Sequence, residues 1–223
     1  PDYPADHWAV IENGFDEENF LEAEEDLDPR PLGAPGQITL VHSGVLYPEE
    51  RDPRPFFAAL GALKRRGDID GARLQVVLRA TGSDHLYRPM IDQLDIADIV
   101  RLEPVVAYRD ALLELLRADG LLLFQGSICN HQVPAKIYEY YRAGRPILAL
   151  VDVNGISANM LKSMHIPDIV DITDAEGIAA TILRLLDRLR SGESRGVARE
   201  AAAKNSRKSR SAELAELLHQ LTP

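Results

Sequence analysis

The chain has 223 residues, of which 45% are hydrophobic and 27% charged, and a formal net charge of −10. That length supports one sizeable core or two small ones, no run approaches the roughly 18 apolar residues of a membrane span, and Pro1-Asp2-Tyr3-Pro4 has neither the basic nor the apolar region of a signal peptide. An intracellular, cytoplasmic protein is expected; its single cysteine, Cys129, excludes an internal disulfide framework, and with no Cys/His group at zinc spacing no metal is expected.

The lead-in, residues 1–36, holds most of the excess charge. Eleven acidic residues and no Lys or Arg lie between Asp2 and Asp28, and the remaining 24 acids face 25 bases. With Pro4, Pro29, Pro31, Gly33, Pro35 and Gly36 the segment reads as an interdomain linker carrying one short strand near Trp8 to Ile11. From residue 37 a short apolar run, a turn and a segment with helical spacing recur. The runs are Ile38 to Val41, Leu74 to Leu78, Ile99 to Leu102, Leu121 to Phe124, Ile147 to Val151 and Ile169 to Ile172. They do not alternate with polar residues, as strands covered on both faces do not. Amphipathic spacing falls on Phe56, Phe57, Leu60 and Leu63, on Tyr87, Met90, Ile91 and Leu94, on Leu112, Leu113, Leu115 and Leu116, and on Ile178, Ile182, Leu185, Leu186 and Leu189.

This pattern predicts an α/β unit over residues 37–190, an open parallel six-stranded Rossmann-like sheet with helices on both faces. A break at Ser191-Gly192-Glu193-Ser194 precedes a C-terminal helical extension, residues 191–223, with helices near Val197 to Ala203 and Ala212 to Leu221. Its basic tract (Arg195, Arg199, Lys204, Arg207, Lys208, Arg210) is opposed only by Glu200 and suits either a phosphate-rich surface or a solvated helix face. Without interleaved aromatics or a basic body, nucleic acid is not expected as a partner.

In such a sheet ligands meet the loops that leave the strands. The first loop, His42 to Pro53, offers Gly44 for close backbone approach to a phosphate and Arg51 for charge. It is not GxGxxG, and no acidic residue ends the second strand, which disfavours a nicotinamide dehydrogenase. The second strand enters Arg79-Ala80-Thr81-Gly82-Ser83; after the third, Glu103-Pro104-Val105 presents backbone that could meet a flat base. The fourth leads through Gln125 to His131 into a helix opened by Pro134 and closed by Gly144. Lys136 and Glu139 share a face of that helix near its N-terminus, where an anion is favoured; a surface ion pair is the other reading. His42, His85 and His131 suit either catalysis or surface and capping roles. Cys129 reads as a small semi-buried residue, and Tyr138, Tyr140 and Tyr141 as packing.

Val10-Ile11-Glu12-Asn13-Gly14-Phe15-Asp16, Gly44, Pro134-Ala135-Lys136-Ile137-Tyr138-Glu139-Tyr140 and Ala143-Gly144-Arg145-Pro146 together resemble the C-terminal, donor-binding half of GT-B-fold glycosyltransferases, most closely the large retaining family 4-like group. The resemblance covers residue 8 onward. It implies a nucleotide-diphospho-sugar as substrate, such as a UDP-sugar, and hexosyl transfer to a glycan or other acceptor, as in polysaccharide biosynthesis. It implies no cofactor and metal-independent chemistry. Glu139 falls where the family bonds the donor's ribose. His131 stands where the family's Glu-x7-Glu motif has its first carboxylate, a departure that affects the sugar. Arg51 matches the diphosphate-binding lysine of the first loop, whereas the arginine position falls on apolar Val45 or Leu46, and Lys136 is expected to supply that charge. The expected donor-binding set is Gly44, Arg51, Pro104, Val105, His131, Lys136 and Glu139. Catalytic residues are expected mainly on an N-terminal acceptor domain absent from this chain, so that the isolated chain binds donor without transferring it. The full-length enzyme's possible contacts include the membrane surface. A GT-B-fold nucleotide-sugar epimerase and a catalytically silent interaction module share the fold and remain alternatives.

Overall fold

Strands built from uninterrupted Ile, Leu and Val can shed water only where both faces are covered, and the computed structural model, which describes residues 8–221, covers them so. The strands are β1 (Ile38–Ser43), β2 (Leu74–Arg79), β3 (Val100–Glu103), β4 (Gly120–Gln125), β5 (Ile147–Val151) and β6 (Asp168–Asp171). They form one parallel sheet in the order β3-β2-β1-β4-β5-β6. Register places Ile38 beside Leu74, Val76 beside Val100, Leu40 beside Gly120 and Leu121 beside Ile147. The expected α/β, Rossmann-like fold is therefore the one observed, with strand ends shifted by one or two residues.

Helices α2 (Arg54–Arg65), α3 (Asp84–Gln93) and α7 (Ala175–Ser191) pack on one face. Helices α4 (Tyr108–Arg117), α5 (Lys136–Ala143) and α6 (Ile156–Ser163) pack on the other, with α1 (Glu17–Glu25) against α4 and α8 (Arg199–Ala203) against α5. The last helix, α9, runs Arg207–Leu221 and starts five residues before the expected Ala212. At eight residues α5 is too short to persist alone. Burial of Ile137, Tyr138, Tyr140 and Tyr141 holds it, each worth about 1.5–3 kcal/mol. Gly144 closes it in the left-handed conformation, φ 66°.

The lead-in departs from expectation. No strand forms over Trp8 to Ile11; residues 8–14 are irregular, and among the described residues of the lead-in the only β-bridge is a parallel one from Phe15 to Ser206. Glu12 meets Tyr138 of α5 at 3.4 Å and Arg210 at 3.0 Å, so its side-chain contacts lie with helices and not with a strand. Instead the acidic segment forms α1, capped by Asp16, whose carboxylate accepts from the Glu18 amide. Only Phe20 and Ala23 of that helix are buried, too few for apolar periodicity to announce it. Pro1 to His7, including Pro4 and the segment read as unlike a signal peptide, lie outside the described residues.

The two charged ends neutralise each other. Arg210 pairs with Glu12 at 3.0 Å, Arg207 with Asp16 at 3.7 Å and Arg199 with Glu17 at 3.0 Å. Backbone bonds from Phe15 N to Asn205 O (3.2 Å) and from Arg207 N to Phe15 O (2.8 Å) seal the contact. A Cβ on Gly14 would stand 2.7 Å from Asn205 O, so only glycine permits this approach. Half of the basic tract is thus committed within the chain.

Arg142 anchors α1 from the domain side. The residue is 5% exposed, and its guanidinium bonds both Glu17 oxygens (2.6 and 2.9 Å) and both Glu24 oxygens (2.7 and 3.1 Å) and lies 4.9 Å over the Phe20 ring. Burial pushes the Glu17 carboxyl up, but bonds from Arg142 and Arg199 outweigh it; Glu17 and Glu24 are both held below their ordinary 4.5. The clamp's contribution is therefore complete above pH 4.5 and fades as pH falls below it. Arg142→Ala is expected to cost about 3 kcal/mol in urea unfolding, at the low end for breaking a buried pair because the glutamates keep some water. It should also speed amide exchange in α1; unchanged exchange there would show that something else anchors the helix.

Candidate functional site

The chain winds outward from β1 to β3, then returns to the other side of β1 with β4, and at such a reversal the loops after the two central strands part and leave a crevice at their carboxyl ends. Gly126 N bonds Glu50 O at 2.6 Å and ties the two loops together beside it. Lys136, the first residue of α5, reaches across this reversal. Its Nζ donates to Ser43 O at 2.6 Å and lies 3.3 Å from His42 Nε2.

The tautomer of His42 follows from its other neighbour. Nδ1 lies 2.9 Å from Leu122 O, a carbonyl that can only accept, so Nδ1 carries the proton and Nε2 accepts from the lysine. His42 is fully buried, with the Phe124 ring edge-on at 5.2 Å. Burial, followed by the Lys136 charge, pushes its pKa well below the usual histidine value. His42 is therefore a neutral acceptor that holds the amine, not a surface or capping residue. Burial, with Arg51 nearby, also brings Lys136 down to about 7, against a smaller opposing pull from Glu139.

Gly44 makes room for that amine. Its φ of 120° lies where side chains rarely go, and a Cβ there would stand 2.8 Å from Lys136 Nζ. Arg51 donates from Nη1 to Val45 O at 2.9 Å and lies 5.4 Å over the Tyr47 ring, fixed within range of the lysine. Glu139, one turn along α5, accepts at Oε1 from the Tyr108 hydroxyl at 2.7 Å. Its Oε2 makes no hydrogen bond among the described residues. Gly44, Arg51, Lys136 and Glu139 thus gather at the reversal, and Lys136 bonds a carbonyl and an imidazole where the surface-pair reading had Glu139.

Pro104 and Val105 lie on the next loop outward. They line an open cavity of about 560 Å³ with Thr81, Gly82, His85 and Glu103. Val105 is 78% exposed, and Pro104 O accepts from Arg79 Nη1 at 2.5 Å. Arg79 is itself buried and paired with both oxygens of Glu114, so the carbonyl is held by a committed ion pair. His131 is exposed on the loop before α5 and makes no hydrogen bond among the described residues. Cys129 is buried in a 3-10 turn, Ser127–Cys129. The tyrosines are packing residues: Tyr140 bonds Leu122 O at 3.1 Å, Tyr141 bonds Met160 O at 3.3 Å, and Tyr138 lies 3.4 Å from Glu12. Among the described residues no group of three His, Cys, Asp or Glu side chains is placed to hold a metal, and no helix is long and apolar enough to cross a membrane. Sequence reasoning missed the lysine's partners, the Arg79 clamp and Tyr108; a histidine inside an otherwise apolar strand run was the one available signal.

No protein-family model matches the sequence, and no curated protein does. Solved structures do match. Sucrose-phosphate synthase from Thermosynechococcus elongatus superposes with a TM-score of 0.68 at 16% identity, over 96% of this chain and 52% of that one. WaaG, a glycosyltransferase involved in lipopolysaccharide biosynthesis, gives 0.62 at 13% identity over 93% of this chain and 53% of its own. An α,α-trehalose-phosphate synthase (UDP-forming) from Burkholderia xenovorans gives 0.60 at 14% over 93% and 51%. The chain spans about half the length of these proteins. At such identities the likeness is one of fold alone: the chain shares the fold of about half of each of these proteins.

Proposed function

We propose that this chain is the nucleotide-diphospho-sugar-binding domain of a retaining, metal-independent glycosyltransferase that moves a hexosyl group from a donor such as a UDP-sugar to a glycan or other acceptor. The observation that carries the reading is the half-buried amine of Lys136, held across the winding reversal beside a glycine whose φ of 120° side chains rarely adopt. An ammonium partly withdrawn from water and bonded only to neutral acceptors lacks a counter-charge, and an anion at the mouth of the crevice would supply one. In this reading Lys136, Arg51 and the first turn of α5 face the diphosphate. Glu139 takes the ribose, Pro104 and Val105 border the base, and His131 lies toward the sugar.

When the bond between the anomeric carbon and the diphosphate oxygen breaks, the electron pair stays with the oxygen. Fixed cations stabilise that growing charge best where they need not reorganise. Acceptor binding is assigned to a further domain of the same polypeptide, consistent with matched structures about twice as long.

Calorimetric titration with UDP, GDP and ADP tests the reading, and no binding of any of them at millimolar concentration overturns it. Lys136→Ala is expected to weaken the nucleotide that binds at least about tenfold, a loss of about 1.4 kcal/mol, and Glu139→Ala to weaken it through the ribose. Both variants binding like the wild type would place the site elsewhere. Because the ammonium form binds the anion, affinity for a UDP-hexose, whose diphosphate bears no titrating hydroxyl near neutrality, should rise as pH falls through about 7 and decline above it. Lys136→Ala should flatten that profile; an equally steep one in the variant would assign the titration to another group. Gly44→Ala is expected to lower stability by about 1–3 kcal/mol, or several degrees in melting temperature, and to displace the amine. Wild-type melting and affinity together would refute that role for Gly44.

A further inference from the structure

Tyr108 is the first residue of α4 and follows directly on the loop that carries Pro104 and Val105. Its ring is half exposed, yet its hydroxyl donates to Glu139 Oε1 on a different helix at 2.7 Å. Burial and the neighbouring carboxylate both push the phenol's pKa up, so the hydroxyl stays a donor. Arg207 and Asp16 also face it, from α9 and from the cap of α1, and they pair with each other at 3.7 Å. The terminal torsion of a glutamate is broad, with two-fold symmetry. A donor fixed on one oxygen removes that freedom and leaves the other aimed in one direction, and among the described residues Oε2 has no other hydrogen bond.

From this geometry we infer that Tyr108 is a positioning residue: it orients Glu139 so that Oε2 accepts from the vicinal 2′,3′-diol of the donor's ribose and so makes the site selective for ribonucleotides. The inference rests on the donor-site reading above and adds to it a residue and a selectivity. A free carboxylate would have to be ordered by the ligand itself, at a cost in affinity. Tyr108 does that ordering beforehand, from the same loop-to-helix junction that borders the base.

The test is calorimetry on the whole chain with UDP, GDP and ADP, followed by the 2′,3′-dideoxy form of the tightest. Wild type is expected to prefer the riboside by about tenfold or more. Tyr108→Phe, which keeps the ring, should lose about tenfold on the riboside and nothing on the dideoxy form. In a Glu139→Ala background, Tyr108→Phe should cost nothing further, because the pair acts as one unit. Three outcomes overturn the inference while leaving the donor site standing: wild type binding both forms alike, Tyr108→Phe losing equally on both, or Tyr108→Phe binding both like wild type. If wild type binds none of the three nucleotides, the donor reading itself fails and this inference with it.

Discussion

The amine of Lys136 lies at the one place where the sheet reverses its winding, and the geometry of the crevice depends on how it is held. Its partners come from the strand on the far side of the reversal: the carbonyl of Ser43 and the neutral imidazole of His42. His42 in turn is fixed by Leu122 O on β4, which Tyr140 of α5 also bonds. Three elements therefore meet on two carbonyls and one ring. Desolvating an ammonium costs several kcal/mol unless acceptors replace the water, and burial, with the Arg51 charge nearby, brings the lysine's pKa down to about 7. That imperfect compensation sits at the mouth of the crevice, which is what the proposed anion site rests on.

The rest of the molecule keeps that point rigid. The apolar strands bury both sheet faces, and α5 is pinned through its aromatic side chains against β4 and β5. On the outside, Arg142 of the same helix carries α1, so the helix that presents Lys136 and Glu139 to the crevice also holds the acidic lead-in. Glu139 is linked through Tyr108 to the region where Asp16 meets Arg207. The crevice and the clasp between the chain's two ends are thus joined by one eight-residue helix.

Charge is handled in two regimes. At the clasp, acids and bases from opposite ends of the sequence neutralise each other near water, where exposed pairs contribute little singly and the buried Arg142 contributes most. At the crevice, Lys136 and Arg51 form no ion pair with a carboxylate among the described residues; each bonds a backbone carbonyl.

Much of this was legible before the fold was known. Uninterrupted apolar runs separated by amphipathic segments determine a doubly covered parallel sheet, because two-residue alternation would be needed to leave a face wet. Pro134 and Gly144 punctuate α5 through local backbone chemistry, and Gly44, Arg51, Lys136 and Glu139 could be placed on loops leaving strands by order alone. Contacts between elements distant in sequence were not legible, since nothing local encodes them. Helix α1 has too little apolar periodicity to be read and exists because Arg142 lies some 118 residues beyond Glu24. The basic tract read as a solvated face or a phosphate surface until Glu12, Asp16 and Glu17 arrived opposite it. Lys136 and Glu139 read either as an anion-gripping face or as a surface ion pair; no such pair forms, the amine turning to β1 and the carboxylate to Tyr108. The sequence by itself determined the architecture and the loops that could bind; only the tertiary structure decided which charges neutralise each other and which face the crevice, because that depends on distance across the fold and on the exclusion of water.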